Sequence, residues 1–262
     1  MPSRKKQKPP IVLTIAGHDP SSGAGITADI KTIAAHGCYG VSCITALTVQ
    51  STRGVKRVQA VAGKVIADTL EELACDLEIA AVKIGMLGSS HAARAVARFL
   101  RRHRPKIIVL DTILRSTSGA ELISRPAIAI MKNELLPAAT VVTPNIDEAA
   151  ALTGVRVKSK AEMRSAADSL RAAGAKATVI TGGHLKSPVD LLSARAGKYV
   201  FLKGQKVQTN STHGTGCAFS TALACNLARG KSLESAVRAA KRFVESALRH
   251  APRVGRGRGP VI

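Results

Sequence analysis

Ile107-Ile108-Val109-Leu110-Asp111 puts four consecutive apolar residues, three of them β-branched, directly before a carboxylate. Successive side chains of a strand point to opposite faces, so such a strand must be covered on both sides. That is the pattern of a parallel sheet held between two layers of helices. Ile11–Ala16, Ala80–Leu87, Ala139–Thr143 and Lys176–Thr181 repeat it with small variations. Between them runs the helical period, in Ile26–Ala35, in Ile66–Leu77 (Ile66, Leu70, Leu73, Leu77), from Ser89 as a cap through Leu100, in Lys160–Ala173 and in Leu233–Leu248. Gly40–Gln50 and Val55–Val61 add two strands, and Val189–Leu192 with Lys198–Phe201 reads as a hairpin around Ala196-Gly197. No tandem repeat and no break in composition divides the chain. The expectation is one α/β domain over residues 11–262, a three-layer α/β/α fold with a central, mostly parallel sheet, behind a basic, disordered arm at residues 1–10.

Charge bears on partners. Lys and Arg number 39 against 17 Asp and Glu, a formal +22. Residues 1–10 and 249–262 each hold four basic residues and no acid, so most of the excess lies within the fold. A distributed basic surface steers phosphorylated small molecules and attracts nucleic acid alike. With aromatics at 2% and no Trp, the stacking platforms of single-strand and RNA binders are missing. Nucleic-acid binding is therefore expected to be weak, nonspecific at most, and lost as salt is raised. No apolar run is long enough to span a membrane. Cysteines 38, 43, 75, 217 and 225 form no CxxC pair, which suits a reducing, cytoplasmic setting.

In open α/β sheets ligands meet the carboxyl ends of the strands, and several polar residues fall there. Asp111 ends one strand, and the loop Gly17–Gly25 follows another without a phosphate-loop motif. Asp29 either projects toward the strand ends or is an acid favoured by the start of its helix. Met86 is a core residue or lines a pocket for a flat heteroaromatic ring. Asn145 and Glu148 have capping-box spacing, while the Glu148 carboxylate equally suits Mg2+ held through water. Ser211-Thr212-His213-Gly214-Thr215-Gly216-Cys217 leads into an alanine-rich helix, so it is either a packing turn or a helix N-terminus that holds an anion. A thiol at that point is expected to have its pKa lowered.

Taken together, these stretches resemble the hydroxymethylpyrimidine/phosphomethylpyrimidine kinases of thiamine biosynthesis, in the ribokinase-like superfamily. The resemblance rests on residues 16–26, Ala28-Asp29, Lys31-Thr32, Thr45-Ala46-Leu47 with Gln50-Ser51-Thr52, Lys83–Leu87, Thr143-Pro144-Asn145 with Glu148-Ala149, Gly182-Gly183-His184, Thr212–Cys217 and the closing Gly257–Val261. It covers residues 11–261.

The resemblance implies an ATP-dependent kinase that phosphorylates 4-amino-5-hydroxymethyl-2-methylpyrimidine and then its monophosphate. It further implies that Gly17, Asp29, Gln50 and Met86 hold the pyrimidine and that Cys217 stands beside the reacting hydroxymethyl group as the base. Gly214 and Gly216 would form the anion hole, and Asp111, Asn145 and Glu148 would organise phosphate and Mg2+, with Asp111 and Glu148 acting on the metal through water. A homodimer, a small-molecule substrate and no membrane partner come with it. The chain departs from the family at Thr181, where a lysine is usual, at Asp111-Thr112-Ile113-Leu114, at Arg115-Ser116-Thr117-Ser118-Gly119 and at Asn210-Ser211. Arg115 and Lys186 are the candidates for the missing charge. Two other readings stay open: a pyridoxal-type kinase, and a catalytically weakened homologue that binds a ligand or associates with nucleic acid.

Overall fold

A computed structural model describes residues 8–116, 119–183 and 188–262. Nine strands form a single sheet in the order β3-β2-β1-β4-β5-β6-β7-β8-β9. At its centre lies β1 (Ile11–His18), with six consecutive buried residues. It runs parallel to β2 (Tyr39–Ser51) on one side and to β4 (Ile79–Ile84) on the other. Parallel pairing continues through β5 (Ile108–Leu110), β6 (Val141–Val142) and β7 (Thr178–Ile180). Antiparallel strands close both edges: β3 (Gly54–Ala60) beyond β2, and the hairpin β8 (Val189–Arg195) and β9 (Lys198–Lys203) beyond β7. The hairpin turns at Gly197, as its sequence predicts.

Strand parity builds the two helical layers. Leu13, Ile15, Val82, Ile84, Ile108 and Leu110 share a core with α2 (Gly63–Asp76) and α3 (Ser90–His103). The alternate residues Val12, Ala81 and Val109 face the other way, toward α1 (Gly25–Ala35), α8 (Thr215–Ala228) and α9 (Leu233–Arg249). A third apolar cluster seats α6 (Ile146–Thr153) and α7 (Lys160–Ala172) against Ile180, Val189 and Leu191. Ser89 caps α3 through Ala92 N–H. The sequence pattern had not predicted the helical stretch α4 (Arg125–Ile130), a π turn over Met131–Leu135, and α5 (Leu136–Ala138). Pro137 has no N–H for the carbonyl four residues back, and the ladder loosens just ahead of it. Residues 1–7 of the expected arm, Thr117-Ser118 and the segment from His184 through Lys186 to Ser187 lie outside the described residues.

The chain leaves β1 toward β2 and β3, then crosses back to β4 on the opposite side. That reversal opens a crevice at the carboxyl ends of β1 and β4. Two loops meet there. Gly214, the N-cap of α8, has φ +85, and a Cβ on it would stand 1.8 Å from the Gly23 carbonyl oxygen. Only glycine satisfies both the left-handed backbone and that approach. The closing segment of the chain lies alongside, with His213 N–H donating to Gly259 O at 3.0 Å and Val261 N–H to His213 O at 3.0 Å.

These contacts predict the ranking of two glycine substitutions. Gly230 also has positive φ (+81) but has open space around it, so Gly230→Ala should cost only the left-handed backbone term, about 1–2 kcal/mol. Gly214→Ala adds the collision with Gly23 and should lower the urea midpoint further. Equal midpoints for the two variants would mean that the loops are not packed as described.

Candidate active site

Beneath the crevice lies a charge pair with no exposure. Thr14 on β1 and Lys83 on β4 are register partners on the face covered by α1 and α8. Lys83 Nζ donates to Asp29 Oδ2 at 2.8 Å, with both side chains 0% exposed. Thr14 Oγ1 donates to the same oxygen at 2.6 Å, and Thr221 Oγ1 on α8 donates to Asp29 Oδ1 at 2.7 Å. A buried charge is tolerated when it is paired and hydrogen-bonded, and here three donors from three elements meet one carboxylate. Asp29, expected to hold the pyrimidine, lies beneath the crevice with its side chain unexposed and engaged by these donors. It is not a first-turn acid, since α1 has none. Lys83, Thr14 and Thr221 went unassigned in the sequence. Their signal was a polar residue at an inward position of an otherwise apolar strand or helix.

Cys217 stands close enough to this pair to interact with Lys83 and Asp29 electrostatically, and it is 6% exposed. Burial pushes its thiol up to about 12. The Asp29 and Asp111 charges add to the rise, and Lys83 and the Gly25 N–H oppose it. The lowering expected at the helix start is thus opposed by burial, which disfavours the sulfur's charged form. The first intrahelical bond of α8 is Ala218 N–H to Gly214 O, 2.8 Å. Helix geometry therefore leaves over the N–H groups of Thr215, Gly216 and Cys217.

Asp111 lies just past β5 and accepts from Ser220 Oγ of α8 at 2.9 Å. Burial raises its pKa and the Asp29 charge adds to that, against the pull of Lys83 and the Ser220 hydroxyl. Glu148 is raised as well, by burial first and by the Asp111 charge second. The capping box forms as its spacing predicts: Asn145 Oδ1 accepts from the N–H groups of Asp147 and Glu148 at 2.9 Å, and Glu148 Oε2 accepts from Asn145 N–H at 3.0 Å. A cation beside these two buried carboxylates would favour their charged forms, and their hard oxygens fit Mg2+. Among the described residues no cluster of three or more His, Cys, Asp or Glu could hold a metal. Most ligands of such an ion would come from phosphate and water. Thr181 N–H donates to Pro144 O at 2.9 Å. Arg115 faces Glu121 at 3.8 Å with most of its side chain exposed.

Gln50 lies at a cavity, whereas Gly17 and Met86 are buried and are not among its lining residues. A cavity of about 360 Å³ is lined by residues that include Gln50, Arg53, Ser116, His213 and Arg258. Gly17 and Met86 touch: a Cβ on Gly17 would stand 2.8 Å from Met86 Sδ, and Met86 packs on Ala46 and Leu122. His213 links Gln50 (3.1 Å) to Asp19 (2.7 Å), and neither His213 nor Asp19 had been given a role from sequence. A larger cavity, about 650 Å³, lies before the anion loop between residues 208–211 and the Arg253–Gly257 segment.

Comparison with known proteins places the whole chain. The family model for phosphomethylpyrimidine kinase matches residues 19–262. A hydroxymethylpyrimidine/phosphomethylpyrimidine kinase of Haemophilus influenzae is 42% identical, with 95% of this chain and 94% of that protein covered. A thiamine biosynthesis bifunctional protein of Geobacter sulfurreducens is also 42% identical; 95% of this chain is covered, but the chain spans only about half (51%) of that longer protein. Among solved structures, a Bacillus subtilis pyridoxal kinase in complex with ADP superposes with a TM-score of 0.89 at 31% identity, covering 97% of both chains.

Two measurements follow from the buried charges. Lys83→Met strands the Asp29 carboxylate and should cost about 3–5 kcal/mol of stability; Asp29→Asn together with Lys83→Met should recover most of it in chemical denaturation. A single variant as stable as the parent would show that the pair carries no such charge. For Cys217, a thiol displaced to about 12 is almost wholly protonated near neutrality. Iodoacetamide should reach exposed Cys75 first and alkylate Cys217 only as pH climbs toward that value, read by mass spectrometry of the native protein. Fast labelling of Cys217 at pH 7 would contradict the buried-thiol geometry.

Proposed function

The chain belongs to the phosphomethylpyrimidine kinase family, and on that premise we propose that it transfers the γ-phosphoryl group of ATP to 4-amino-5-hydroxymethyl-2-methylpyrimidine and then phosphorylates the monophosphate. The observation that carries the reading is the Gln50-lined cavity opening beside the helix start at Gly214–Cys217, because His213 lines the one and adjoins the other. The ring occupies the cavity with Gln50 on its polar edge and the Gly17–Met86 contact at its side. Asp29 acts from below, through Lys83 and Thr221.

Phosphoryl transfer passes through a loose transition state with charge spread over the equatorial oxygens, so positioning and electrostatics supply most of the catalysis. The leftover N–H groups of Thr215, Gly216 and Cys217 point at those oxygens; a preorganised donor of this kind is worth about 3–4 kcal/mol. Cys217 starts as a neutral thiol beside the alcohol. In a loose transition state the alcohol's proton leaves late, so a strong base is not required at the outset. Asp111 and Glu148 would hold Mg2+, through water at least in part, and the ion would supply positive charge to the phosphate oxygens. With Thr181 in place of lysine, the anion hole and Lys83 supply the positive field, to which a bound Mg2+ would add. The reading includes a homodimer in the cytoplasm, a setting that five free cysteines suit. No helix among the described residues is long and apolar enough to cross a membrane.

A pyridoxal kinase is the second reading, favoured by the close superposition on the Bacillus enzyme. Incubation with Mg2+, ATP and either the pyrimidine alcohol, its monophosphate or pyridoxal separates the two by product mass. Phosphorylated pyrimidine is expected; product from pyridoxal alone would overturn the main reading. Gln50→Leu leaves a buried polar partner unmet, about 1–3 kcal/mol. The pyrimidine KM should therefore rise about 5- to 150-fold, with the ATP KM little changed. Equal effects on both would make Gln50 structural.

A further inference from the structure

Gln50 faces the cavity, and the way its amide points is set by which of its neighbours hold protons. Asp19 Oδ2 lies 2.7 Å from His213 Nε2. Burial opposes the charge on Asp19, but hydrogen bonds from His213 and Ser21 outweigh it and hold the carboxyl below its usual value. A carboxylate only accepts, so the proton sits on Nε2 of His213. That same Nε2 is 3.1 Å from one end of the Gln50 amide. Only the carbonyl oxygen can receive its N–H.

The other end of the amide lies 3.1 Å from Thr48 Oγ1. In the structure Oε1 is the end near Thr48 and Nε2 the end near His213, with Thr48 Oγ1 in donating reach of both Gln50 Oε1 and the His18 carbonyl; its single hydrogen goes to the nearer, the His18 carbonyl at 2.9 Å. Thr48 therefore offers Gln50 a lone pair and needs a donor, the amide NH2. With Nε2 turned to His213 and Oε1 to Thr48, both contacts would oppose like groups. With the amide the other way round both are satisfied, and the two ends of an amide are assigned by this kind of count. Five residues thus form a proton-ordered chain: Gln50 donates to Thr48, Thr48 to the His18 carbonyl, and the one Nε2–H of His213, directed at Asp19, is shared with the Gln50 oxygen.

Asp19 is itself held rigidly. Its Oδ1 accepts from Ser21 N–H at 2.8 Å and Ser21 Oγ at 2.7 Å, and its Oδ2 also accepts from Ala24 N–H at 3.0 Å. His213 packs its ring on Gly23, where a Cβ would come within 2.3 Å of Cδ2, and its backbone is pinned on both sides by Gly259 and Val261. Neither residue can turn to accommodate a flipped amide.

We propose that Asp19 and His213 are positioning residues that lock the Gln50 amide with its oxygen toward His213 and its nitrogen toward Thr48, and so make the cavity selective for a ring edge with an amino donor beside a ring-nitrogen acceptor. The inference deepens the pyrimidine-kinase reading and rests on it for the identity of the ring. The locked amide keeps one lone pair and one N–H side by side, the pairing a glutamine makes to the amino and ring-nitrogen edge of adenine. A 4-aminopyrimidine carries that edge. Pyridoxal has a ring hydroxyl flanked by carbon substituents in place of the adjacent donor and acceptor. A freely turning glutamine could serve both rings. A locked one rejects the ring that leaves its groups unpaired.

The test is a double-mutant cycle read by calorimetric binding of 4-amino-5-hydroxymethyl-2-methylpyrimidine to the full chain. His213→Phe keeps the ring and removes the N–H. It should weaken pyrimidine binding about tenfold, leave ADP affinity unchanged and narrow the preference for the pyrimidine over pyridoxal. Combined with Gln50→Leu it should cost nothing beyond Gln50→Leu alone, because His213 acts through Gln50. Additive losses would overturn the proposal. Asp19→Asn, which leaves the His213 packing in place, should reproduce the loss if His213→Phe fails to fold; undiminished pyrimidine binding by it would overturn the proposal. Independently of any substrate, 15N chemical shifts of the imidazole should show Nε2 protonated in the parent protein, and a bare Nε2 would overturn the lock. If the parent binds and phosphorylates no pyrimidine, the functional reading falls, and the tautomer still decides whether the amide is locked.

Discussion

The ion pair between Lys83 and Asp29 is the interaction on which the site depends. It joins β4 to α1, takes in β1 through Thr14, and reaches α8 through Thr221. A lysine with no exposure cannot stay charged in an apolar sheet without a partner, and the partner must arrive from the helix layer above. The start of α8, with its free N–H groups, is thereby fixed over the carboxyl ends of β1 and β4. The fold and the proposed anion site share this contact.

The electrostatics of the crevice follow from that arrangement. Asp29 and Asp111 raise the Cys217 thiol while Lys83 lowers it, and burial dominates both. A phosphate group bound at the start of α8, as proposed, would bring negative charge to the same place and meet backbone N–H groups that need no reorganisation. Burial raises both Asp111 and Glu148, and the Asp111 charge adds to the rise of Glu148, so a cation beside them would favour their charged forms. A buried neutral thiol suits a site whose main task is to hold charge that enters with the substrates.

Much of the fold could be read locally. The parallel strands announce themselves by apolar runs, the hairpin by Gly197, the start of α3 by Ser89, and the start of α6 by Asn145 and Glu148, because each depends on neighbours within about four residues along the chain. The stretch from Arg125 to Ala138 escaped because two prolines and a π turn blur its period. In the site, Gly214 and Gln50 stood out as a turn and as a strand-end amide. Lys83 did not, since a single polar residue in an apolar strand has no local explanation.

By itself, then, the sequence determined the class of fold, the order and type of most elements, and the loop that becomes the helix start at Gly214. Only the tertiary structure decided that Asp29 is buried under the site, that Cys217 is a neutral thiol, and that His213 stands between Asp19 and Gln50. The reason is physical. Periodicity, caps and turns are set over short spans of chain, whereas desolvation and proton placement depend on which distant groups close over a side chain. Asp19 and His213 are 194 residues apart, and no local pattern records that they share a proton.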